Sequence, residues 1–236
     1  MQSSLDKLFY PQSIAVIGAS SKKGTLSFEL VSNLIKFGYK GSIYPVNTKA
    51  PSVHSIKAYP DVTSISDNID LAIIMVPKEL VSAAVDSCYR KKIGTVVVIT
   101  AGFKETGKEG AEREAELVKK IRKYKMRLVG PNCMGIINTH PDVKLNCTFV
   151  QGNPVPGGIG FISQSGALGA AILRTVQQND IGLAQFASIG NKADISGNTI
   201  LDYWWHNDDI KVITLYLESF GDPRHFMELT REITKT

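Results

Sequence analysis

The first residues with a chemical pattern lie near the N-terminus, where an apolar run ends in a turn of small side chains. That run begins at Ser13 and ends in Gly18, Ala19 and Ser20. A turn containing Lys23 then precedes a helical pattern. Backbone N–H groups and the dipole at a helix start attract an anion, and small residues let a phosphate approach closely. The spacing matches neither GxGxxG nor GxxxxGK[ST], so we predict a phosphate-binding turn outside both motif classes.

A second candidate pair, Asn47 and Lys49, follows the next apolar run in the segment YPVNTKA. A nicotinamide-binding unit usually carries Asp or Glu at this place, which accepts hydrogen bonds from the ribose hydroxyls. An amide and a cation argue against NAD and suit a ligand with an extra phosphate on its ribose. NADP and coenzyme A, with its 3′-phosphate, both meet that requirement.

Small or short residues also follow the later apolar runs of the first half. They are Val76, Pro77, Thr100, Ala101, Gly102, Asn132 and Cys133. Ligands of open parallel sheets bind at the carboxyl ends of the strands, so we expect a ligand to lie across these turns. Cys133 has no histidine or other base beside it in sequence, which favours a small buried side chain over a nucleophile.

The segment GFISQSGALG in the second half repeats the strand, turn and helix pattern. Ser163, Ser165 and Gly166 stand at its predicted helix start and form a second candidate phosphate site. Neither serine has glycine two places away on both sides, so the segment is not the GxSxG elbow of hydrolases. Glu218 lies at the end of a later apolar run, where a carboxylate can orient an imidazole or a ligand amine, or remain an ordinary exposed acid.

These residues need a parallel sheet to bring them together, and the chain has the pattern of one. Short β-branched runs alternate with longer amphipathic segments from one end to the other, which is typical of an α/β fold. The first five predicted strands are Ser13–Ala19, Gly41–Asn47, Leu71–Pro77, Thr95–Thr100 and Arg127–Asn132. Five strands with helices between them predict a doubly wound, Rossmann-like domain over residues 1–138.

A passage rich in Pro, Gly and Asn, about 138–158, is the predicted domain boundary. A second domain over 145–236 then has three predicted strands, Gly158–Ser163, Leu183–Gly190 and Lys211–Ser219. Three parallel strands leave an apolar edge open, so we expect a partial α/β domain. The simplest expectation is a fragment of a longer protein or a subunit completed by a partner, and association into a homo-oligomer is a further hypothesis.

Composition narrows the class of protein. The formal charge is +5 with no basic run, which favours an anionic small molecule over nucleic acid. No apolar stretch approaches the roughly 18 residues of a membrane span, and the N-terminus has no signal-peptide pattern, which predicts a cytoplasmic protein without a membrane partner. The three cysteines are widely spaced, so we expect reduced thiols and no metal site.

Six segments in order, namely SIAVIGAS, YPVN, VGPNCMGIIN, GFISQSGALG, GNKADIS and YLESF, resemble the N-terminal part of NDP-forming acyl-CoA synthetases. This family is related to the α subunit of succinyl-CoA synthetase, and the resemblance spans essentially the whole chain. It implies a CoA-binding domain followed by a partial flavodoxin-like ligase domain. It further implies that the nucleotide end of CoA is held by Gly18, Ala19, Ser20, Asn47 and Lys49. The path of the pantetheine arm would be lined by Val76, Pro77, Thr100, Ala101, Gly102, Asn132 and Cys133.

In such enzymes an acyl-CoA and phosphate exchange to an acyl phosphate and free CoA. The phosphoryl group then passes to a histidine and on to ADP or GDP. The resemblance implies that Ser163, Ser165 and Gly166 support the phosphoryl group and that Glu218 orients the phosphorylated histidine. In the family that histidine lies downstream of the YLES motif, in a segment that these 236 residues do not contain. The ATP-grasp unit, which binds nucleotide and Mg, is also not among them.

The resemblance therefore implies a chain that binds CoA and a small acyl substrate but relies on further ligase domains, in cis or as a β subunit. Two alternatives stay open at this point. One is the acyl-CoA synthetase-like regulatory region of a protein acetyltransferase. The other is an NADP-dependent reductase, which the missing GxGxxG disfavours.

Overall fold

The computed structural model of the chain describes residues 5–235. The described part forms twelve strands, which fall into two large sheets and one small hairpin: β1 Ser13–Ile17, β2 Ser42–Val46, β3 Ser52–Val53, β4 Ile56–Lys57, β5 Leu71–Ile74, β6 Thr95–Val98, β7 Arg127–Val129, β8 Gly135–Asn138, β9 Leu145–Thr148, β10 Pro156–Ser163, β11 Leu183–Ser188 and β12 Val212–Tyr216. The α-helices are α1 Asp6–Phe9, α2 Leu26–Phe37, α3 Lys78–Arg90, α4 Lys108–Lys123, α5 Gly166–Gln178, α6 Gly197–Trp205 and α7 Pro223–Ile233.

The first sheet is parallel throughout and has the order β2-β1-β5-β6-β7. Every residue of β1, β5 and β6 is buried, because helices cover both faces of a doubly wound sheet. This is why the strands read as unbroken β-branched runs rather than as alternating patterns. The prediction of a Rossmann-like first domain is confirmed.

The second sheet has the order β12-β10-β11-β8-β9, so it has five strands and the prediction of three is wrong. The two extra strands, β8 and β9, pair antiparallel, and β8 also pairs antiparallel with β11. β8 ends at the start of the passage 138–158 that the sequence predicted as a domain boundary, and β9 lies within it. Their short, Asn-containing sequences, GIIN and LNCT, lack the signal of a central strand, and only their pairing and complete burial identify them. On the other side of the sheet β12 pairs with β10 and with no other strand of the described residues, and Val212 and Tyr216 are exposed.

Short helices and buried amides join the two sheets. Phe9 of α1 is fully buried; its ring stacks on Tyr203 of α6 and makes a tilted contact with Trp204, with ring centroids 5.7 and 5.8 Å apart. The side-chain amide of Asn33 in α2 donates to the carbonyl oxygens of Thr148 and Val150 at 2.8 and 2.9 Å. Because one apolar cluster contains residues of both sheets, the turns of the two domains are held at fixed positions relative to each other.

Among the described helices, none combines the length and the apolar character required to cross a membrane.

Candidate functional site

The first turn depends on the glycine at its start. Gly18 has φ +89°, and a Cβ built there would lie 2.8 Å from the carbonyl oxygen of Met75 at the end of β5. The backbone N–H groups of Gly18 and Ala19 donate to the Val46 carbonyl at 3.0 and 3.2 Å, which ties the turn to β2. The turn is therefore packed against the ends of both neighbouring strands, in the position expected of a phosphate-binding turn.

The side chain of Asn47 is hydrogen-bonded to backbone groups of the protein itself. Its amide nitrogen donates to the Ala19 carbonyl at 2.6 Å, and its amide oxygen accepts from the N–H groups of Lys49 and Ala50, both at 2.7 Å. The side chain thus fixes the first turn against the loop after β2. Lys23 and Lys49 are exposed on these two segments, where both cations face solvent at the same edge of the sheet.

The turns after β5 and β6 are joined by side-chain hydrogen bonds. Thr100 Oγ1 donates to the Val76 carbonyl at 2.7 Å. The N–H groups of Gly102 and Phe103 donate to Glu105 Oε1 at 2.5 and 3.1 Å. Desolvation alone would raise the pKa of Glu105, but these bonds and one from the Asn191 side chain outweigh it and hold the pKa below its ordinary value.

Asn132 and Cys133 follow β7 and face the second domain. The Asn132 backbone donates to the Thr100 carbonyl at 3.0 Å, and its side chain donates to Asn191 Oδ1 at 3.3 Å. The Cys133 thiol is buried and donates to the Val98 carbonyl at 3.3 Å. Burial raises the pKa of this thiol to about 12, so it stays protonated near neutral pH and is no nucleophile.

The start of α5 separates the roles of the two serines. Ser165 is the N-cap, and its hydroxyl accepts from the Leu168 N–H at 3.3 Å. Ser163 is completely buried, and its hydroxyl donates to the Ser165 carbonyl at 2.7 Å. This corrects the expectation that Ser163 contacts a phosphate, because a buried hydroxyl engaged with the turn supports the helix start from behind. Ser165 and Gly166 are the members of the predicted set that reach the surface.

Glu218 is exposed just beyond β12 and lies beside the start of α5. Its backbone N–H donates to Gln164 Oε1 at 3.1 Å, and its Oε2 accepts from Gln164 Nε2 at 3.5 Å. The carboxylate and the helix N-terminus therefore face the same space.

A cavity of about 580 Å³ lies between the two domains and takes its walls from both. Its lining includes seven residues predicted from sequence, namely Thr100, Ala101, Asn132, Cys133, Ser165, Gly166 and Glu218. A neighbouring recess of about 470 Å³ shares Asn132, Gln164 and Glu218 with it and extends toward Lys104 and Lys192. Gly18, Asn47, Val76 and Gly102 are not among the residues that line this cavity.

Sequence reasoning missed several residues of the cavity wall. They include Thr25, Met75, Met134, Phe149 and Gln164. Thr25 and Gln164 had a detectable signal, because a threonine before a helical pattern reads as an N-cap and Gln164 stands directly before the predicted helix start. Phe149 lies in a segment without a strand or helix pattern, and only the packing of α2 against β9 brings it to the cavity.

Neither cavity is lined by any of the four histidines, all of which lie within the described residues. Between residues 5 and 235, no cluster of His, Cys, Asp or Glu has the arrangement of a metal site.

The comparison with known families decides the class of the first domain. Residues 12–139 match the family model described as a CoA binding domain. The chain belongs to this CoA-binding domain family. Residues 156–236 of the CoA-binding chain match a second model, the succinyl-CoA ligase like flavodoxin domain. Both domain types agree with those that the six sequence segments predicted.

Proteins similar to the CoA-binding chain include ADP-forming CoA ligases. It is 45% identical over 231 residues to the α subunit of acetate–CoA ligase [ADP-forming] II of Pyrococcus furiosus, a match that covers 98% of this chain and 50% of that subunit. It is 40% identical to the 4-hydroxybutyrate–CoA ligase [ADP-forming] of Nitrosopumilus maritimus, covering 95% of this chain and 32% of that protein.

Among solved structures, the dinucleotide-forming acetyl-coenzyme A synthetase 1 of Candidatus Korarchaeum cryptofilum, in complex with phosphate and ADP, superimposes with a TM-score of 0.93. It is 38% identical, and the match covers 97% of this chain and 49% of that one. The CoA-binding chain thus spans between a third and a half of the length of these relatives. The relatives named here are CoA ligases or synthetases, so they support neither the NADP-dependent reductase nor the acetyltransferase regulator.

Proposed function

We propose that the chain supplies the CoA-binding part of an ADP-forming acyl-CoA ligase, together with the acid that orients its phosphorylated histidine. The reaction class is acyl-CoA + phosphate + ADP to carboxylic acid + CoA + ATP, with an acyl phosphate and a phosphohistidine as successive carriers of the phosphoryl group. The observation that carries the proposal is the cavity between the domains, where the turns of a CoA-binding domain meet the N-terminus of α5 and the Glu218 carboxylate.

The nucleotide end of CoA has a suitable place at the carboxyl ends of β1 and β2. Small residues at Gly18, Ala19 and Ser20 allow the pyrophosphate to approach the backbone, and Lys23 and Lys49 supply positive charge at the same edge. Since Asn47 is occupied by its own hydrogen bonds, its part is to hold these segments in position. Lys49 is then the residue in reach of the 3′-phosphate.

The pantetheine arm is proposed to run across the turns at Val76, Pro77 and Gly102 and to enter the cavity beside Thr100, Ala101 and Asn132. The buried Cys133 and the apolar side chains of Met134 and Phe149 form a wall on which the thioester carbon chain can pack. A small acyl group fits beside the thioester in a cavity of about 580 Å³.

The chemistry is proposed to take place between α5 and Glu218. Free N–H groups at the start of α5, with the Ser165 hydroxyl beside them, favour the negative charge of a phosphoryl group. The Glu218 carboxylate accepts a hydrogen bond from one ring nitrogen of an imidazole and so keeps the other nitrogen free to attack phosphorus. The histidine, the nucleotide site and its Mg belong to further ligase segments, in cis or as a separate subunit.

The first test is calorimetric titration of the chain with CoA, dephospho-CoA and NADPH. We expect binding of CoA, weaker binding of dephospho-CoA and none of NADPH. Lys49→Gln should weaken the affinity for CoA about fivefold, the order of one exposed ion pair, and leave the affinity for dephospho-CoA unchanged. Lys211→Gln, which changes an exposed lysine before β12 in the second domain, is the matched control. Absence of CoA binding by the wild-type chain would overturn the proposal.

A further inference from the structure

Glu218 needs support that packing does not provide. It is exposed, and so are its neighbours Ser219 and Phe220, in the segment that follows edge strand β12. A carboxylate on such a segment samples many positions, whereas orienting an imidazole requires a fixed one. The groups that hydrogen-bond to this segment therefore decide whether Glu218 is in place.

The first such group is Gln164. Its backbone N–H donates to the Tyr216 carbonyl at 2.9 Å, which fixes it to the end of β12. Its side-chain amide then contacts Glu218 twice, accepting from the backbone N–H and donating toward the carboxylate. Gln164 thus connects Glu218 with the start of α5.

The second group is Lys192, which contacts the residue that follows Glu218. Its Nζ donates to the Ser219 carbonyl at 2.6 Å and also to the Ser219 hydroxyl. Burial lowers the pKa of Lys192, the charge of Glu218 opposes this, and the charge of Lys104 adds to it. Lys192 and Glu218 both line the recess of about 470 Å³.

Lys192 itself is held by the first domain. It lies in the turn after β11 with φ +48°, next to Asn191, whose N–H donates to the Pro131 carbonyl at 2.9 Å. The N–H of Ala193 donates to the Gly130 carbonyl at 3.1 Å. The Asn191 side chain donates to Glu105 Oε2 at 2.6 Å, the same carboxylate that holds the Gly102–Phe103 turn. The lysine is therefore anchored to the turns assigned to the pantetheine arm.

We propose that Lys192 is a positioning residue that, with Gln164, fixes Glu218 at the reaction site and links its position to the CoA-binding turns. The inference rests on the proposed function for the meaning of Glu218, but the contact itself belongs to this chain. A lysine that bound phosphate directly would not hydrogen-bond to Ser219, and its loss would raise the KM for phosphate rather than lower kcat.

The contact is tested first by amide hydrogen exchange of the 236-residue chain. Lys192→Met should speed exchange at the Glu218 amide about fivefold, the order of one lost hydrogen bond. Lys192→Arg should restore most of the protection, because a guanidinium can donate to the same Ser219 carbonyl. Lys211→Met, the matched control at the other end of β12, should leave the Glu218 amide unchanged.

The role is tested in the full-length ligase by following ATP formation from acyl-CoA, phosphate and ADP. Lys192→Met should lower kcat about tenfold or more while the KM for acyl-CoA and phosphate stays the same, as expected of a misplaced group. Lys192→Arg should recover much of the rate. An unchanged kcat, or a raised KM for phosphate, would overturn the positioning role.

The two measurements separate the possible failures. If the wild-type protein forms no ATP from these substrates, the proposed function is wrong and the role of Lys192 falls with it, even where the exchange result is positive. If the wild-type protein is active and Lys192→Met exchanges like the control, the contact is absent and this inference alone is wrong.

Discussion

Two glycines of the first turn form a matched pair that tests why Gly18 is a glycine. Both have positive φ, +89° for Gly18 and +83° for Gly24, so alanine is strained at either position. The surroundings differ. A Cβ at Gly18 would lie 2.8 Å from the Met75 carbonyl oxygen and 3.0 Å from a Val76 methyl, whereas a Cβ at Gly24 would have nothing within 4 Å.

The expected cost follows from these distances. Backbone strain alone destabilises by about 1–2 kcal/mol, and this is the whole expectation for Gly24→Ala. Gly18→Ala adds overpacking against β5, which costs about 1–3 kcal/mol more because the nearest atoms are backbone atoms that move only with their strand. The two variants should therefore differ in melting temperature by about 2–12 °C, with Gly18→Ala the lower.

Thermal unfolding followed by far-ultraviolet circular dichroism measures this difference, and calorimetry with CoA measures its effect on the turn. Since the Gly18 N–H donates a hydrogen bond to the Val46 carbonyl, a shift of the turn should also weaken the binding of CoA. Equal melting temperatures for the two variants would refute the argument that the approach of β5 demands a glycine at position 18.

Two further predictions use the titrating groups. All three cysteines are buried, and burial raises the thiol pKa to about 12 for Cys88 and Cys133 and further for Cys147. The native chain should therefore show no thiol that reacts with Ellman's reagent at pH 8, and the unfolded chain should show three. A fast-reacting thiol in the native chain would contradict the burial. Glu105 has a lowered pKa when folded, so its contribution to stability is complete above its ordinary value of 4.5 and is lost as the pH falls through the folded pKa. Glu105→Gln should remove this part of the acid sensitivity, measured as the urea midpoint against pH, and an unaltered slope would show that other acids are responsible.

The sequence determined much of this protein because its signals are local. Unbroken β-branched runs such as those of β1, β5 and β6 specify strands buried on both faces, and alternation with helices specifies a parallel sheet. In such a sheet the carboxyl ends lie on one edge, so the residues after the runs could be assigned to one site before any coordinates were known. Thr100, Asn132, Ser165 and Glu218 line one cavity, and their roles in binding and catalysis stay a prediction.

Only the tertiary structure decided which of these side chains are available to a ligand. Ser163 and Asn47 have the right residue types, but one hydroxyl is buried and one amide is consumed by backbone groups. β8 and β9 escaped prediction although they pair with each other across a short loop, because β8 joins the sheet through β11, a partner distant in sequence. For the same reason the contacts of Glu218 with Gln164, 54 residues away, and of Ser219 with Lys192, 27 residues away, have no local signal. Periodicity records which face of an element is buried, whereas the partner of a polar group depends on how separate elements are packed together.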